Sequence, residues 1–483
     1  MTRFAMLFTA FALLQIILPA AAQHHGQTYV PETDPLVLKK LDKWQDAKFG
    51  LLMHWGTYSQ WGIVESWSIC AEDEGWCRRS LDDYTEYKKK YEDLKKTFNP
   101  VKFDPQKWAE AAHAAGMKYV VFTTKHHDGF CMFDTKLTDY RVTHSECPFS
   151  SNPRANIAKE IFNAFRDKGF MTGAYFSKPD WHSEYYWWPN FATPDRNANY
   201  DIQTYPDRWQ KFVDFTQGQI DELMSNFGPM DILWLDGGWV QPMTREEIVR
   251  YINSPDYKFS RIQNQDINMP AMVQKAREKQ PGLIVVDRAV PGKFQNYLTP
   301  ENQVPDRMLP YPWESCIIMG GGWSYSPNAS YRSAHNLIHL LVDIVSKGGN
   351  LLLNIGPGPD GAWQPDAYER LRQIGDWMKV NSEAIYSTRP IAPYKEGKIC
   401  LTRQRDGAVY AIYLADENEP TTPSKIWLAT ISPADDATVM FVGTNTALAW
   451  EKVGSGFFAT IPEHIRKNPP CQYAWVFKIS KIK

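Results

Sequence analysis

One recurrence constrains this chain more than any other feature. Short runs of consecutive apolar residues return along most of its length, at 49–55, 119–124, 171–177, 231–236, 283–287, 314–319 and 350–355. They are unbroken rather than alternating, the signature of strands buried on both faces. Helical patterns lie between them, for instance at 105–115, 154–168, 208–227 and 333–346. Asp104 and Pro105 make a helix start of the capped, proline-first kind. Strand–helix alternation on this scale predicts an α/β chain whose parallel strands close into a (β/α)8-like barrel of the TIM type, with irregularity allowed.

The pattern changes near residue 389. Beyond it come short strands at 398–403, 408–414, 425–428 and 473–478, with Asp406-Gly407 as a turn signal and no convincing helix. Residues 390–483 are therefore expected to form a small all-β sandwich after a barrel over 23–389. A chain of 483 residues suits one large and one small domain. Residues 1–22 read as a removable export leader. Arg3 opens it, an apolar run over 5–18 follows, and Ala20-Ala21-Ala22 offers a cleavage site. That run is short for a membrane span, and no other stretch is apolar enough. The expected location is periplasmic or extracellular. The net charge of −2 gives no footprint for nucleic acid. Seven cysteines leave one unpaired at least in a monomer; Cys70 with Cys77 is a local candidate pair, and no spacing matches a zinc site. Asn328-Ala329-Ser330 is a glycosylation sequon. Oligomeric state leaves no mark that can be read.

The chemistry concentrates where the apolar runs stop. They end in Met53-His54-Trp55-Gly56, Lys125-His126-His127-Asp128-Gly129, Tyr175 with Ser177, Trp234-Leu235-Asp236-Gly237-Gly238-Trp239, Asp287-Arg288 and Asn354. In a parallel barrel the C-terminal strand ends converge on one mouth. Asp236 is the sharpest residue among them, because a carboxylate directly after Ile-Leu-Trp-Leu is costly to bury without partners. Hydrolysis of a glycosidic bond needs a second carboxyl group. Glu301, in Tyr297-Leu-Thr-Pro-Glu-Asn302 after the fifth run, is the first candidate. Glu314, inside the sixth run, is its competitor, and Glu65 is a third. A 14 % aromatic share, with 19 Trp, suits a site that packs the C–H face of a pyranose. His126 and His127 are adjacent, so in an extended strand they point opposite ways. Hydrogen bonding to sugar hydroxyls is then preferred over a metal site built from His126, His127 and Asp128.

Four runs carry a resemblance: Asp46-Ala-Lys-Phe-Gly-Leu-Leu-Met-His-Trp-Gly56, Thr124-Lys-His-His-Asp-Gly-Phe130, Trp234-Leu-Asp-Gly-Gly238 and Asn350-Leu-Leu-Leu-Asn-Ile-Gly-Pro357. Together they resemble the α-L-fucosidases of glycoside hydrolase family 29, over about residues 35 to 390, and the β-rich tail suits that family's C-terminal sandwich. The resemblance implies a retaining enzyme that removes terminal α-L-fucose from fucosylated glycans through a covalent fucosyl-enzyme. It implies no metal and no organic cofactor. Asp236 matches the nucleophile and Glu301 the acid/base, the latter in a loop that varies across the family. His54, His126, His127, Tyr175, Trp234 and Arg288 match positions that grip fucose. Glu65 and Trp67 resemble an adjacent Glu-Trp pair that also touches the sugar, here separated by Ser66.

Arg288 or the neighbouring histidines are expected to keep Asp236 ionised, and Trp234 or Trp323 to face the fucose methyl group. The stretches 184–190 and 320–323 are expected to wall the leaving-group side, which decides between broad and strict α-1,3/1,4 specificity. The alternatives are a retaining glycosidase for a related sugar, such as an α-L-galactoside, and a carbohydrate-binding relative without catalysis.

Overall fold

The computed structural model describes residues 29–70, 79–255 and 261–483. The proposed leader and the Cys70–Cys77 pair fall wholly or partly outside these residues. Seven strands form one parallel sheet: β1 (Phe49–Met53), β2 (Tyr119–Lys125), β3 (Met171–Ser177), β4 (Ile232–Asp236), β5 (Ile284–Asp287), β6 (Glu314–Ile318) and β7 (Asn350–Asn354). Their order is β5-β4-β3-β2-β1-β7-β6. Both faces are buried, which is why the runs are unbroken. Leu52, Val121, Tyr175, Trp234, Val286, Cys316 and Leu352 share the interior cluster. Leu51, Val120, Phe122, Ala174, Leu233 and Val285 face outward against the helices.

Between the edge strands β5 and β6 runs an irregular segment that takes the eighth position. Asn296 N–H donates to the Val285 carbonyl (3.0 Å), and Asp287 N–H to that of Phe294 (2.8 Å). On its other side Leu298 N–H donates to Pro312 O (3.0 Å), Glu314 N–H to Leu298 O (2.9 Å), and Cys316 N–H to Pro300 O (3.2 Å). The barrel expected from sequence thus has seven regular strands and a bridged eighth strip. Glu301, read from sequence as a loop residue after the fifth strand, lies on that strip, paired in parallel with Cys316 of β6.

The helix Pro35–Ala47 covers the opposite end. Asp34 caps it by accepting from Leu36 N–H. Its Leu41, Trp44 and Ala47 join the interior cluster, with Trp44 stacked on Tyr297 at 3.9 Å between centroids. With that end closed, ligands meet the strands at their C-terminal ends.

The C-terminal part is a sandwich. One sheet is ordered β12 (Val439–Phe441), β15 (Ala474–Ile479), β10 (Val409–Leu414), β9 (Ile399–Arg403), β8 (Arg389–Glu396). The other is ordered β11 (Lys425–Leu428), β14 (Gly456–Thr460), β13 (Ala449–Val453). Leu401, Val409, Phe477, Leu428 and Phe457 fill the space between them. Cys400, Tyr410, Ile412 and Val476, on the far face of the first sheet, join the large cluster that includes the barrel helices. One short helix, Glu463–Lys467, was not expected; its five residues are too few to show a helical period. Among the described residues Cys131, Cys147, Cys316, Cys400 and Cys471 form no disulfide. No helix among the described residues is long and apolar enough to cross a membrane.

Candidate active site

A cavity of about 1180 Å³ opens at the C-terminal strand ends. Asp236, the last residue of β4, stands at its floor. Its Oδ2 accepts from the Tyr175 hydroxyl (2.7 Å), and its Oδ1 from Arg288 Nη1 (3.0 Å) and the Gly237 N–H (2.8 Å). Gly237 has φ +86°, and a Cβ there would lie 2.3 Å from Pro179 Cδ, so the turn behind Asp236 requires glycine. Burial alone would push the Asp236 carboxyl up. Arg288, with the His127 ring and the Tyr175 hydroxyl, more than offsets it and holds Asp236 well below the usual carboxylate range.

Arg288 follows β5 and reaches two carboxylates. Nη1 holds Asp236, and Nη2 contacts Glu301 Oε2. Trp323 Nε1 donates to the other Glu301 oxygen (3.0 Å). Glu301 and Asp236 line the same cavity. Glu314 is not among its lining residues: it faces the barrel interior, fully buried, and accepts from the Tyr119 hydroxyl (2.8 Å) and Trp234 Nε1 (3.0 Å). Burial pushes its carboxyl up to about 7.

The three histidines also line the cavity. His54 Nδ1 is 2.9 Å from Asn354 Oδ1, and His126 Nδ1 is 2.6 Å from Ser66 Oγ. His127 Nε2 lies 3.9 Å from Asp236 Oδ2. Burial pushes His54 down to about 4, His127 to about 3 and His126 well below its ordinary value, so all three are neutral hydrogen-bonding groups. Keeping Asp236 ionised therefore falls chiefly to Arg288.

Two expectations about the histidines are corrected. β2 ends at Lys125, one residue before the pair, so strand alternation does not apply to them. Their ring centroids are 4.2 Å apart, and both rings face the cavity. Asp128 is turned away, its carboxylate accepting from the Tyr91 hydroxyl (2.7 Å). The cluster of possible ligand atoms is instead His126, His127 and Asp236, spread within 4.8 Å. Ligands about 2.1 Å from a zinc ion stand roughly 3.4 Å apart. This set is looser, and the positive charge beside Asp236 is already supplied by Arg288.

The inserted Ser66 expels neither neighbour, for Glu65 and Trp67 both line the cavity. Ser66 has φ 35° and ψ −34°, and Trp67 N–H donates to the Glu65 carbonyl. This three-residue turn is of the rare, strained γ kind, and it lets the residues on either side face the same way. Burial pushes the Glu65 carboxyl up to about 7, and its Oε2 has no hydrogen-bond partner among the described residues.

The far wall was missed. Arg196, Trp239, Gln241, Glu247, Arg250 and Gln263 form it, Glu247 and Arg250 from the helix Arg245–Ile252. Only Trp239, behind the Asp-Gly-Gly turn, stood out in sequence. The 184–190 stretch, expected to be this wall, is not in contact with the cavity. Tyr186 and Trp187 are buried behind it, where Trp239 Nε1 donates to the Tyr186 hydroxyl (3.1 Å). Of 320–323, Trp323 alone reaches the cavity.

The family model described as alpha-L-fucosidase matches residues 16–383. The chain belongs to the α-L-fucosidase family. An α-L-fucosidase of Branchiostoma floridae is 28% identical over 472 residues, covering 94% of this chain and 96% of that protein. The plasma α-L-fucosidase of Homo sapiens is 27% identical over 482 residues, covering 95% and 94%. Among solved structures, α-L-fucosidase isoenzyme 1 from Paenibacillus thiaminolyticus superposes with a TM-score of 0.72 at 26% identity, covering 93% of this chain and 100% of that one. The family match stops before β8, whereas these relatives extend through the sandwich as well.

Proposed function

We propose that this member of the α-L-fucosidase family is a retaining exo-enzyme that hydrolyses terminal α-linked L-fucose from fucosylated glycans. The observation that carries the reading is the pair Asp236 and Glu301, facing one cavity and joined through one guanidinium. Retaining enzymes use two carboxyl groups close together on one site, and here one guanidinium contacts both.

In the first step Asp236 attacks the anomeric carbon while Glu301 gives its proton to the departing glycosidic oxygen. The product is a fucosyl ester on Asp236. In the second step Glu301, now a carboxylate, takes a proton from water, which displaces Asp236 and releases fucose with its original configuration. Arg288 serves both steps: it keeps Asp236 ionised before attack and lies beside Glu301 when that group acts as base. Glu301 must carry a proton in the first step, so its contact with Arg288 opens as the leaving oxygen arrives. His54, His126, His127 and Glu65 bind the sugar hydroxyls, and Trp67, Trp234 and Trp323 offer apolar surface for the ring and its methyl group. No step calls for a metal or cofactor.

The same reading makes residues 1–22 a leader removed on export, 23–389 the catalytic domain and 390–483 a supporting sandwich. N-terminal sequencing of the exported protein tests the leader. The function itself is tested by proton NMR of the protein acting on α-1,2-, α-1,3-, α-1,4- and α-1,6-fucosylated oligosaccharides, with Asp236→Ala alongside. Free α-fucose appearing first, and only with the unaltered protein, is the expected result. β-Fucose first would exclude double displacement, and no release from any substrate would exclude the activity.

A further inference from the structure

Ser66, the residue that parts Glu65 from Trp67, has a side chain with a use beyond its turn. It is fully buried. Its Oγ lies 2.9 Å from the Asp128 backbone nitrogen and 2.6 Å from His126 Nδ1. The amide can only donate, so Oγ is the acceptor there. A hydroxyl carries one hydrogen. If His126 also donated to Oγ, that hydrogen would be buried without an acceptor, which is costly. The hydroxyl therefore donates to Nδ1, and the ring proton of neutral His126 sits on Nε2.

His54 is fixed in the opposite sense. Asn354 Nδ2 donates to the Trp323 carbonyl (2.7 Å), which turns Oδ1 toward His54 Nδ1. An amide oxygen only accepts, so His54 carries its proton on Nδ1 and leaves Nε2 bare. The two rings line the cavity with centroids 5.7 Å apart. With both Nδ1 atoms tied to the scaffold, the Nε2 edges remain for a ligand.

We propose that Ser66 is a positioning residue that locks His126 as the Nε2–H tautomer, so that His126 and His54 offer a matched donor and acceptor to sugar hydroxyls. The proposal rests on the glycone site described above and deepens it. A hydroxyl can donate to His54 while a hydroxyl accepts from His126; a methyl or methylene can do neither. Without Ser66 Oγ both tautomers of His126 become accessible, and part of the enzyme then faces the sugar with an acceptor where it needs a donor.

Two variants and one spectrum test this. Ser66→Ala and Ser66→Gly both remove Oγ, while glycine relieves the left-handed backbone. Both are expected to lose roughly ten-fold in kcat/KM on an aryl α-L-fucoside, with the thermal midpoint of Ser66→Gly no lower than that of Ser66→Ala. Wild-type kcat/KM in Ser66→Ala would overturn the proposal. Nitrogen-15 NMR of ring-labelled protein without substrate reads the tautomer directly, with His126→Asn assigning the signals. A protonated Nε2 and a bare Nδ1 in His126, averaging in Ser66→Ala, is expected; a protonated Nδ1 in the unaltered protein would overturn it. If the variants do not fold, the wild-type spectrum alone decides. A wild-type protein inactive on every fucoside would count against the proposed function and leave the tautomer measurement standing.

Discussion

Replacing Glu314 with glutamine separates the two candidates for proton donor and tests how the barrel interior is held. Glu314 is fully buried, and burial raises its carboxyl from 4.5 to about 7. The fold therefore binds this proton more tightly than the unfolded chain does. The stability it contributes is complete below the unfolded value of 4.5 and is lost as pH rises through about 7. A shift of that size corresponds to about 3 kcal/mol at 1.36 kcal/mol per unit. Glutamine keeps the shape and accepts from Trp234 Nε1 with its oxygen, while the Tyr119 hydroxyl turns to accept from its amide. Glu314→Gln should thus be near neutral or mildly destabilising in acid. It should gain on the wild type by about 3 kcal/mol as pH climbs past about 7. Urea unfolding of both proteins across that range measures the difference. Turnover should stay within a few-fold of the wild type, because Glu314 lies outside the cavity. A pH-independent stability difference would refute the buried-acid argument. Slow hydrolysis of poor leaving groups, rescued by azide, would make Glu314 the acid/base instead of Glu301.

Glu301→Ala should lower turnover of poor leaving groups by about 10²–10⁴-fold and that of activated aryl fucosides far less, with partial rescue by azide; equal losses on both would remove Glu301 from the proton-donor role. Arg288→Met removes the largest force opposing the effect of burial on Asp236, so the acid limb of kcat/KM should move to higher pH, and an unmoved limb would show that Arg288 does not hold that carboxyl down. Because Asp236 is depressed in the wild type, its stabilising effect is present above the unfolded value of 3.8 and lost only as pH falls through the folded one, so the same variant should also lose stability near neutral pH. Gly237→Ala, with its Cβ driven to 2.3 Å from Pro179, should lower both the thermal midpoint and turnover; a wild-type midpoint would mean that the left-handed turn is not required.

The seven regular strands were legible because each is buried on both faces, and that leaves an unbroken apolar run. The eighth strip was not. Its residues Gln295-Asn-Tyr-Leu-Thr-Pro-Glu301 include polar groups and a proline, and irregular bridges rather than a ladder hold it between β5 and β6. The two carboxylates proposed as the catalytic pair were visible as residues but not as geometry, since Glu301 reaches the mouth only through that strip. The orientation of His126 and His127 was misjudged because the end of β2 is set by tertiary pairing, one residue short of the motif. The 184–190 stretch misled for a compositional reason: tryptophans and tyrosines that could stack on a sugar serve equally as buried support. The helix Arg245–Ile252 has apolar residues at Ile248, Val249 and Ile252 but buries none of them, so an apolar stripe could not tell that Glu247 and Arg250 would line the cavity.

The site also shows how carboxyl groups that are all largely desolvated reach opposite charge states. Asp236, Glu65 and Glu314 are all removed from bulk water, and desolvation pushes each carboxyl up. Asp236 alone touches a guanidinium, and a tyrosine hydroxyl and its own following amide complete its partners. It ends far below the usual range. Among the described residues no cation stands against Glu65 or Glu314, and both rise to about 7. Near neutral pH Asp236 is therefore ionised beside neutral imidazoles and a Glu65 carboxyl that keeps part of its proton. That contrast suits a nucleophile to the position of Asp236, and hydrogen bonding to a neutral sugar to the positions around it. Arg288 makes the largest contribution to that division, and under the proposed mechanism its second contact, to Glu301, is where substrate binding and cleavage would be coupled.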